Sequence, residues 1–175
     1  LIGLANEYAE FCRSIGIDIQ EVTSCASTKW NFSKVSPGLV GGHCIGVDTY
    51  YLLEKAEKLG QELQIVRTAR ETNENKVNKV LDRMLSALRQ RKIEPHNSDI
   101  LILGFTYKKY SQDIRNTKIA TIVNKLKEYT KSVVCYDPLV DIKTAKEMYG
   151  INVLTNSDKL NKEYIDLQNK FEIIN

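Results

Sequence analysis

Two short apolar segments in the second half of the chain constrain its fold most strongly. Residues 100–103 (Ile-Leu-Ile-Leu) and 132–136 (Ser-Val-Val-Cys-Tyr) are too short for buried helices and are typical of buried parallel strands. An amphipathic helical pattern over about 116–129 separates them, and a second one, 141–149, leads to a third apolar segment, 151–154. The order β-α-β-α-β predicts a small doubly wound parallel sheet.

The first half of the chain has a different period. Apolar residues follow helical spacing over residues 1–15 and 19–26, and a longer helical pattern runs from 63 to 88. We therefore expect an α/β protein with two domains. A helical central domain covers residues 1–93, and a small Rossmann-like parallel-sheet domain covers residues 94–175.

The two ends of the sequence give weaker signals. The chain begins without Met and inside a helical pattern, which leads us to expect a fragment of a longer protein. Residues 155–175 are polar and give no continuation of the sheet, so we expect that domain to be incomplete. Helical spacing in this tail is limited to four positions, Leu160, Tyr164, Leu167 and Phe171. We assign the tail no function.

Composition excludes several classes of protein. The net charge is only +3, and the Lys and Arg residues are spread among acidic residues along helical faces and form no basic stripe. We therefore expect no nucleic-acid partner. No apolar run approaches the roughly 18 to 20 residues that cross a bilayer, so we expect no membrane partner and a cytoplasmic location. The chain has four widely spaced cysteines, Cys12, Cys25, Cys44 and Cys135. With no C-x-x-C pair and only two histidines, the sequence predicts reduced thiols, no disulfide framework and no metal site.

The strongest indication of function is a glycine-rich segment, residues 36–48, which reads Ser-Pro-Gly-Leu-Val-Gly-Gly-His-Cys-Ile-Gly-Val-Asp. Its glycines predict a tight loop with inward-facing amides that suits an anion. Cys44 lies beside His43 and four residues before Asp48. Positive potential from amides or an imidazolium would favour the thiolate there, so Cys44 is a candidate nucleophile.

Each of these polar residues also has a structural interpretation. Free cysteine is among the most often buried residue types, so Cys44 could serve packing alone. Asp48 precedes a helical pattern over residues 49–59 and could be its N-cap, a role that is compatible with a catalytic one. In the long helical pattern, Arg70 and Asn73 share one face. We expect that face to be solvated, with contact to a ligand or partner as the alternative.

A second candidate site follows from the predicted sheet. Ligands of such sheets bind outside the carboxyl ends of the strands, which puts residues 105–116 and 136–141 at the binding edge. Lys108, Lys109 and Arg115 can supply cations to a phosphate, and Asp113 could orient an Arg through a two-pronged hydrogen bond. The loop after the first strand lacks the second and third Gly of G-x-G-x-x-G. We therefore expect a nucleotide attached to a sugar there, and not NAD.

Both motifs resemble one family. Residues 36–48, followed by Tyr-Tyr-Leu at 50–52, resemble the active-site signature of the UDP-glucose/GDP-mannose dehydrogenases, most closely the branch that oxidises UDP-N-acetylhexosamines. Residues 104–108, with Asp113, Arg115 and Asn116, resemble the signature of the family's UDP-binding domain, as does Tyr-Asp-Pro at 136–138. The resemblance covers residues 1 to about 154.

The resemblance implies a two-step, NAD-dependent oxidation of a sugar C6 alcohol to a carboxylate. Cys44 matches the family nucleophile, which forms a thiohemiacetal and then a thioester. Asp48 matches an Asp that positions or activates the hydrolytic water. The expected substrate-binding residues are Gly41, Gly42, His43, Lys108 and Arg115.

The family resemblance also implies what this chain lacks. In the family an N-terminal Rossmann domain binds NAD, so we expect the cofactor-binding residues to lie outside this chain, which would be inactive alone. Asn6-Glu7 resembles the end of a motif on the central helix through which these enzymes dimerise, which implies a homodimer. Thr49 stands where family members usually have Pro, a small change at a first helical turn. The alternative function is a truncated, non-catalytic module that binds a UDP-sugar and dimerises.

Overall fold

The computed structural model describes residues 1–156. They form two compact units that divide within one long helix, the first ending at Val77 and the second beginning at Asn78. The predicted α/β class is confirmed, since helices are followed by a small parallel sheet. Almost all of the predicted polar tail, residues 157–175, lies outside the described residues.

The first unit is helical. Its elements are α1 (Ile2–Ser14), α2 (Ile19–Ala26), α3 (Thr49–Lys58) and the first half of α4 (Gln64–Gln90). Asp18 caps α2, because its side chain accepts a hydrogen bond of 2.9 Å from the amide of Gln20. A π-helical turn, Cys44–Asp48, runs directly into α3.

Helices α1 and α4 contact each other through a column of small and polar residues. The contacting pairs are Gly3 with Ala69, Asn6 with Asn73, and Glu10 with Lys76. The steps of three or four residues run in the same direction on both helices, so the two helices are parallel at this contact. A Cβ on Gly3 would lie only 2.9 Å from the Ala69 carbonyl oxygen, so a larger residue at position 3 would push the helices apart.

The second unit contains the sheet. Its strands are β1 (Asp99–Leu103), β2 (Ser132–Tyr136) and β3 (Val153–Leu154), in the order β1-β2-β3 and all parallel. Helix α5 (Lys118–Leu126) connects β1 to β2, and α6 (Ile142–Tyr149) connects β2 to β3. The predicted β-α-β-α-β order is therefore confirmed. Gly150 ends α6 with a left-handed conformation, φ 67°.

The core of the second unit lies between the sheet and its helices. Its buried members are Phe105, Ile114, Ala120, Val123, Cys135, Val140, Ala145, Ile151 and Val153. The rings of Phe105 and Tyr149 pack edge to face with centroids 5.9 Å apart. The Tyr149 hydroxyl donates a 2.7 Å hydrogen bond to the carbonyl of Ile114. This core fixes the loops that follow β1 and β2.

No helix in the described part, residues 1–156, is long and apolar enough to cross a lipid bilayer.

Candidate active site

The glycine-rich segment turns sharply and then winds as a π-helical turn. Gly42 has φ 74°, a conformation that side-chain-bearing residues rarely adopt, and the turn Cys44–Asp48 follows at once. The Val47 amide donates a 2.7 Å hydrogen bond to the His43 carbonyl, which includes His43 in the winding. π-Helical turns are rare and frequently lie at functional sites.

Three chemically active side chains meet on this turn. Cys44 is exposed, so its interpretation as a packing residue is wrong. The Nδ1 atom of His43 lies 3.4 Å from Oδ1 of Asp48, and one ligand-type atom from each of the three residues lies within 4.8 Å of the others. Asp48 occupies the N-cap position of α3 but makes no capping hydrogen bond with its side chain. Its carboxylate therefore lies beside His43 and does not cap the helix.

Asn6, on α1, anchors the beginning of the loop. Its side-chain amide donates to the Gly38 carbonyl, and its side-chain oxygen accepts from the Gly38 amide, both at 2.9 Å. Asn6 is 1% exposed and also donates to Asn73 on α4. The Gly38 amide is thus not available to an anion, and a Cβ at Gly38 would meet nothing within 4 Å. Of the four loop glycines, Gly42 is the one that needs its positive φ.

Arg70, on α4, anchors the end of the loop. It donates to the Ile45 carbonyl at 3.2 Å and to the Tyr50 hydroxyl at 3.4 Å, and its guanidinium lies 4.8 Å from the Tyr50 ring centroid. It also pairs with Glu74. Arg70 and Asn73 are 4% and 5% exposed, so the expected solvated face is wrong. Tertiary packing of α4 against α1 and the loop buries both side chains.

Two buried polar atoms near the loop have no hydrogen-bond partner within residues 1–156. They are the Thr49 hydroxyl and the Arg70 Nε. An unpaired buried hydroxyl destabilises a fold by about 1 to 3 kcal/mol. Thr49 is also the residue that departs from the family signature, where Pro is usual and brings no hydroxyl.

In the second unit, Asp137 holds the two loops at the carboxyl ends of β1 and β2. Its Oδ2 accepts from the amides of Phe105 at 2.8 Å and Thr106 at 3.2 Å, and its Oδ1 accepts from the amide of Leu139 at 3.0 Å. Asp137 is 5% exposed. A single buried carboxylate therefore fixes the edge at which such sheets bind ligands.

The loop after β1 does not fit the pyrophosphate of NAD. Dinucleotide loops offer their backbone amides to phosphate oxygens. Here the Gly104 amide donates to the Tyr136 carbonyl at 2.8 Å, and the next two amides donate to Asp137. Three successive amides are thus already used inside the unit.

The predicted cations of the second unit lie on this same loop region. Lys108 is exposed, and its carbonyl accepts from the Thr106 hydroxyl at 3.1 Å. Asp113 holds Arg115 by the predicted two-pronged contact, with Nε at 3.0 Å from one oxygen and Nη2 at 2.6 Å from the other. This hydrogen bonding lowers the pKa of Asp113 from its ordinary 3.8 to about 2. Gly41, Gly42, His43, Cys44 and Asp48 lie in the first unit, and Lys108 and Arg115 lie in the second.

Sequence reasoning missed three residues that organise these loops: Asn6, Arg70 as a loop anchor, and Asp137. Asn6 lies between the apolar positions of α1, which is typical of a solvated residue. Asp137 stands in the Tyr-Asp-Pro signature, and a carboxylate directly after a buried strand was the available signal. Each of these three residues has hydrogen-bond partners that are distant in sequence, so those partners could be identified only from the folded structure.

Comparison with known proteins matches one family on both units. The family model for the UDP-glucose/GDP-mannose dehydrogenase family, central domain, matches residues 1–75. The model for the same family's UDP binding domain matches residues 101–167. The chain belongs to the UDP-glucose/GDP-mannose dehydrogenase family.

Individual members of the family are also similar to this chain. The chain is 42% identical over 150 residues to a UDP-N-acetyl-D-glucosamine 6-dehydrogenase from Salmonella typhi, covering 86% of this chain and 35% of the relative. It is 41% identical over 150 residues to the enzyme of the same name from Pseudomonas aeruginosa, covering 86% and 36%. A solved UDP-D-ManNAc dehydrogenase from Pyrococcus horikoshii is 33% identical with TM-score 0.75, covering 80% and 33%. The chain spans about a third of the length of these relatives.

Proposed function

We propose that this chain is the part of a UDP-N-acetylhexosamine 6-dehydrogenase that carries the nucleophile and binds the UDP moiety of the substrate. The observation that supports this most is the exposed Cys44, held in the family's signature loop with His43 and Asp48 within reach of its sulfur. The similar Salmonella and Pseudomonas proteins bear the name of this activity. We propose a cytoplasmic location, since the four cysteines are widely spaced in the sequence and form no C-x-x-C pair.

Cys44 performs two bond changes in the proposed reaction. Its thiolate forms a C–S bond to the C6 aldehyde, and the carbonyl oxygen takes up a proton, which gives a thiohemiacetal. At the thioester stage, water attacks the acyl carbon and the C–S bond breaks, which returns the thiolate. Asp48 accepts the proton of that water, and His43, 3.4 Å away, orients the carboxylate. NAD, the family's oxidant, would take the hydrides that convert the alcohol to the aldehyde and the thiohemiacetal to the thioester, and residues outside this chain would bind it.

Because the proposed NAD site lies outside this chain, we predict that the chain alone does not oxidise a UDP-sugar. The purified chain is mixed with NAD and UDP-N-acetylglucosamine or UDP-N-acetylmannosamine, and NADH absorbance is followed. We expect no sustained NADH production. Continued NADH formation that depends on Cys44 would contradict the proposal that the oxidant's site lies elsewhere.

Lys108 and Arg115 are the proposed contacts to the UDP phosphates. A ligand that binds the folded state raises the melting temperature, so millimolar UDP is expected to raise it for this chain. Lys108→Ala reduces that shift, whereas Lys131→Ala, at an exposed lysine beside the amino end of β2, is the matched control. An unchanged melting temperature at millimolar UDP would contradict the proposal that this chain binds UDP.

The proposed partner of α1 is a second copy of this chain. Five exposed apolar residues repeat along α1 and just beyond it with alternating steps of three and four, as in a helix-pairing seam: Leu1, Leu4, Tyr8, Phe11 and Ile15. Sedimentation of the chain is expected to give a dimer. Phe11→Glu weakens it at least tenfold, whereas Tyr110→Glu, at an exposed aromatic residue in the second unit, does not. A wild-type monomer at tens of micromolar would contradict this proposal.

The alternative function is a module that binds a UDP-sugar and dimerises without oxidising it. The loop after β1, which uses its own amides and offers no dinucleotide site, is expected of both functions and does not separate them. The DNA sequence directly upstream of the Leu1 codon discriminates the two functions. An in-frame strand-turn-helix with G-x-G-x-x-G supports the dehydrogenase, and its absence supports the module.

A further inference from the structure

The nucleophile's own cluster has the composition of a metal site. We propose that His43, Cys44 and Asp48 bind a Zn²⁺ ion, which holds the nucleophile in an inactive form. The inhibitory consequence rests on the proposed function, but the binding itself does not. Zn²⁺ takes imidazole nitrogen, thiolate sulfur and carboxylate oxygen, and open sites use three such protein ligands. The sequence alone predicts no metal site, and the three residues become a candidate site through the fold.

The distances support this assignment. All three ligand-type atoms lie within 4.8 Å of one another. In a tetrahedral zinc site with nitrogen and oxygen at about 2.0 to 2.1 Å from the metal, those two atoms are roughly 3.3 to 3.4 Å apart. His43 Nδ1 and Asp48 Oδ1 already have this separation, 3.4 Å. The Cys44 sulfur needs to approach by about 1 Å, which rotation of an exposed side chain allows.

The π-helical winding creates the cluster. A π turn closes between residues i and i+5, so His43 and Asp48, five residues apart, come to lie on one side of the turn. In an α-helix the same two residues would be roughly 140° apart around the axis. A separation of five residues is not among the usual ligand spacings of zinc sites, so the sequence alone gives no signal for a metal here.

Metal binding and the proposed catalysis exclude each other because they use the same sulfur. On binding, the Cys44 thiol loses its proton to solvent and an S–Zn bond forms, with no change in oxidation state. The lone pair that would attack the aldehyde is then engaged by the metal. His43 and Asp48 are each about half exposed, with side-chain accessibilities of 54% and 55%, which leaves the metal's fourth position to water. Mg²⁺ and Ca²⁺, which prefer all-oxygen sites, are not expected to bind.

The test uses Co²⁺ as a spectroscopic substitute for Zn²⁺. The chain, freed of metals and kept reduced, is titrated with Co²⁺, and we expect a thiolate-to-cobalt charge-transfer band with tetrahedral visible bands at one equivalent. Zn²⁺ abolishes the bands, whereas Mg²⁺ does not. Cys44→Ala removes the charge-transfer band, and His43→Asn weakens binding at least tenfold. Cys25→Ala, which removes the other exposed cysteine, leaves the spectrum unchanged.

A second measurement needs no variant. One equivalent of Zn²⁺ is expected to slow alkylation of Cys44 in the wild-type chain at least tenfold, with labelling of Cys25 unchanged. The proposal is overturned if millimolar Co²⁺ gives no thiolate band, if the band survives Cys44→Ala, or if Zn²⁺ fails to protect Cys44. None of these readouts requires NAD or a nucleotide sugar. Failure of the metal site and failure of the proposed dehydrogenase are therefore distinguishable.

Discussion

The two units contain cysteines in opposite environments. Cys44, in the first unit, is exposed on a loop that polar side chains hold in position. Cys135, in the second unit, is the next-to-last residue of β2, is 1% exposed and belongs to the apolar core. Burial raises the pKa of the Cys135 thiol from its ordinary 9.0 to about 12, and the charge of Lys127 only partly offsets this. The contrast teaches that the environment, and not the residue type, decides which thiol can act as a nucleophile.

The units also hold their loops by different routes. In the first, Asn6 and Arg70 reach the loop from two helices that are distant from it in sequence. In the second, Asp137 stands inside one loop and reaches the other. Both solutions use a buried polar side chain to satisfy backbone groups that no helix or strand pairs.

Alkylation rates are the sharpest test of this contrast. A rise in pKa from 9.0 to about 12 reduces the thiolate of Cys135 by about 1,000-fold, and burial hinders access further. We expect Cys44 to react with iodoacetamide at least 1,000-fold faster than Cys135 in the folded chain, measured by mass spectrometry of peptides. Cys25, also exposed, shows whether the neighbours of Cys44 add reactivity beyond exposure. Comparable alkylation rates for Cys44 and Cys135 would contradict the claim that their environments set their reactivity.

Removal of the Asp137 carboxylate tests the anchor of the second unit. Asp137→Ala leaves three amides without their acceptor, and we expect it to lower the free energy of unfolding by about 3 kcal/mol, measured in urea. Asp137→Asn retains one acceptor oxygen and is the matched control, with a smaller loss. A loss below about 1 kcal/mol for the alanine variant would mean that the apolar core alone fixes these loops.

The corresponding change in the first unit is Asn6→Ala. It leaves the Gly38 amide and carbonyl unpaired, together with the Asn73 side-chain oxygen, and we expect a loss of about 2 kcal/mol. The effect is smaller than at Asp137 because the acceptor is neutral. Asn6→Asp keeps the acceptor for the Gly38 amide but places a buried carboxylate oxygen against the Gly38 carbonyl and the Asn73 side-chain oxygen, so a loss at least as large as that of the alanine variant is expected. Urea unfolding of all three chains decides the ranking.

The smallest expected effect concerns the exposed pair Asp113 and Arg115. Because the folded pKa of Asp113 is about 2 and its ordinary value is 3.8, the pair's contribution to stability is present above about pH 4. That contribution is lost as the pH falls through about 2. NMR titration of the Asp113 carboxyl group in the wild-type chain measures the shift. Arg115→Met is expected to return the midpoint toward 3.8, and an unchanged midpoint would exclude Arg115 as the cause.

The sequence was sufficient for the elements and for naming the exposed candidate residues. The spacing of apolar residues depends only on nearby sequence, so β1, β2 and the connecting helices could be predicted within a few residues. Cys44 and Arg115 could be named because each lies in a contiguous motif. Burial of Asn6 and Arg70 could not be predicted, because it depends on which face of α4 meets α1. The π-helical turn at residues 44–48 could not be predicted from the sequence either. The turn changes the direction in which its side chains point, and the order of residue types does not record that direction.

The Asp137 anchor has a consequence for binding kinetics. Because a carboxylate of the chain itself already holds the first residues of the loops after β1 and β2, the proposed nucleotide would not have to order those residues. Little conformational entropy is then lost on association, and the encounter rate is not reduced by a slow loop closure. Differences in affinity between nucleotides at this edge are therefore expected to arise in how fast each one leaves.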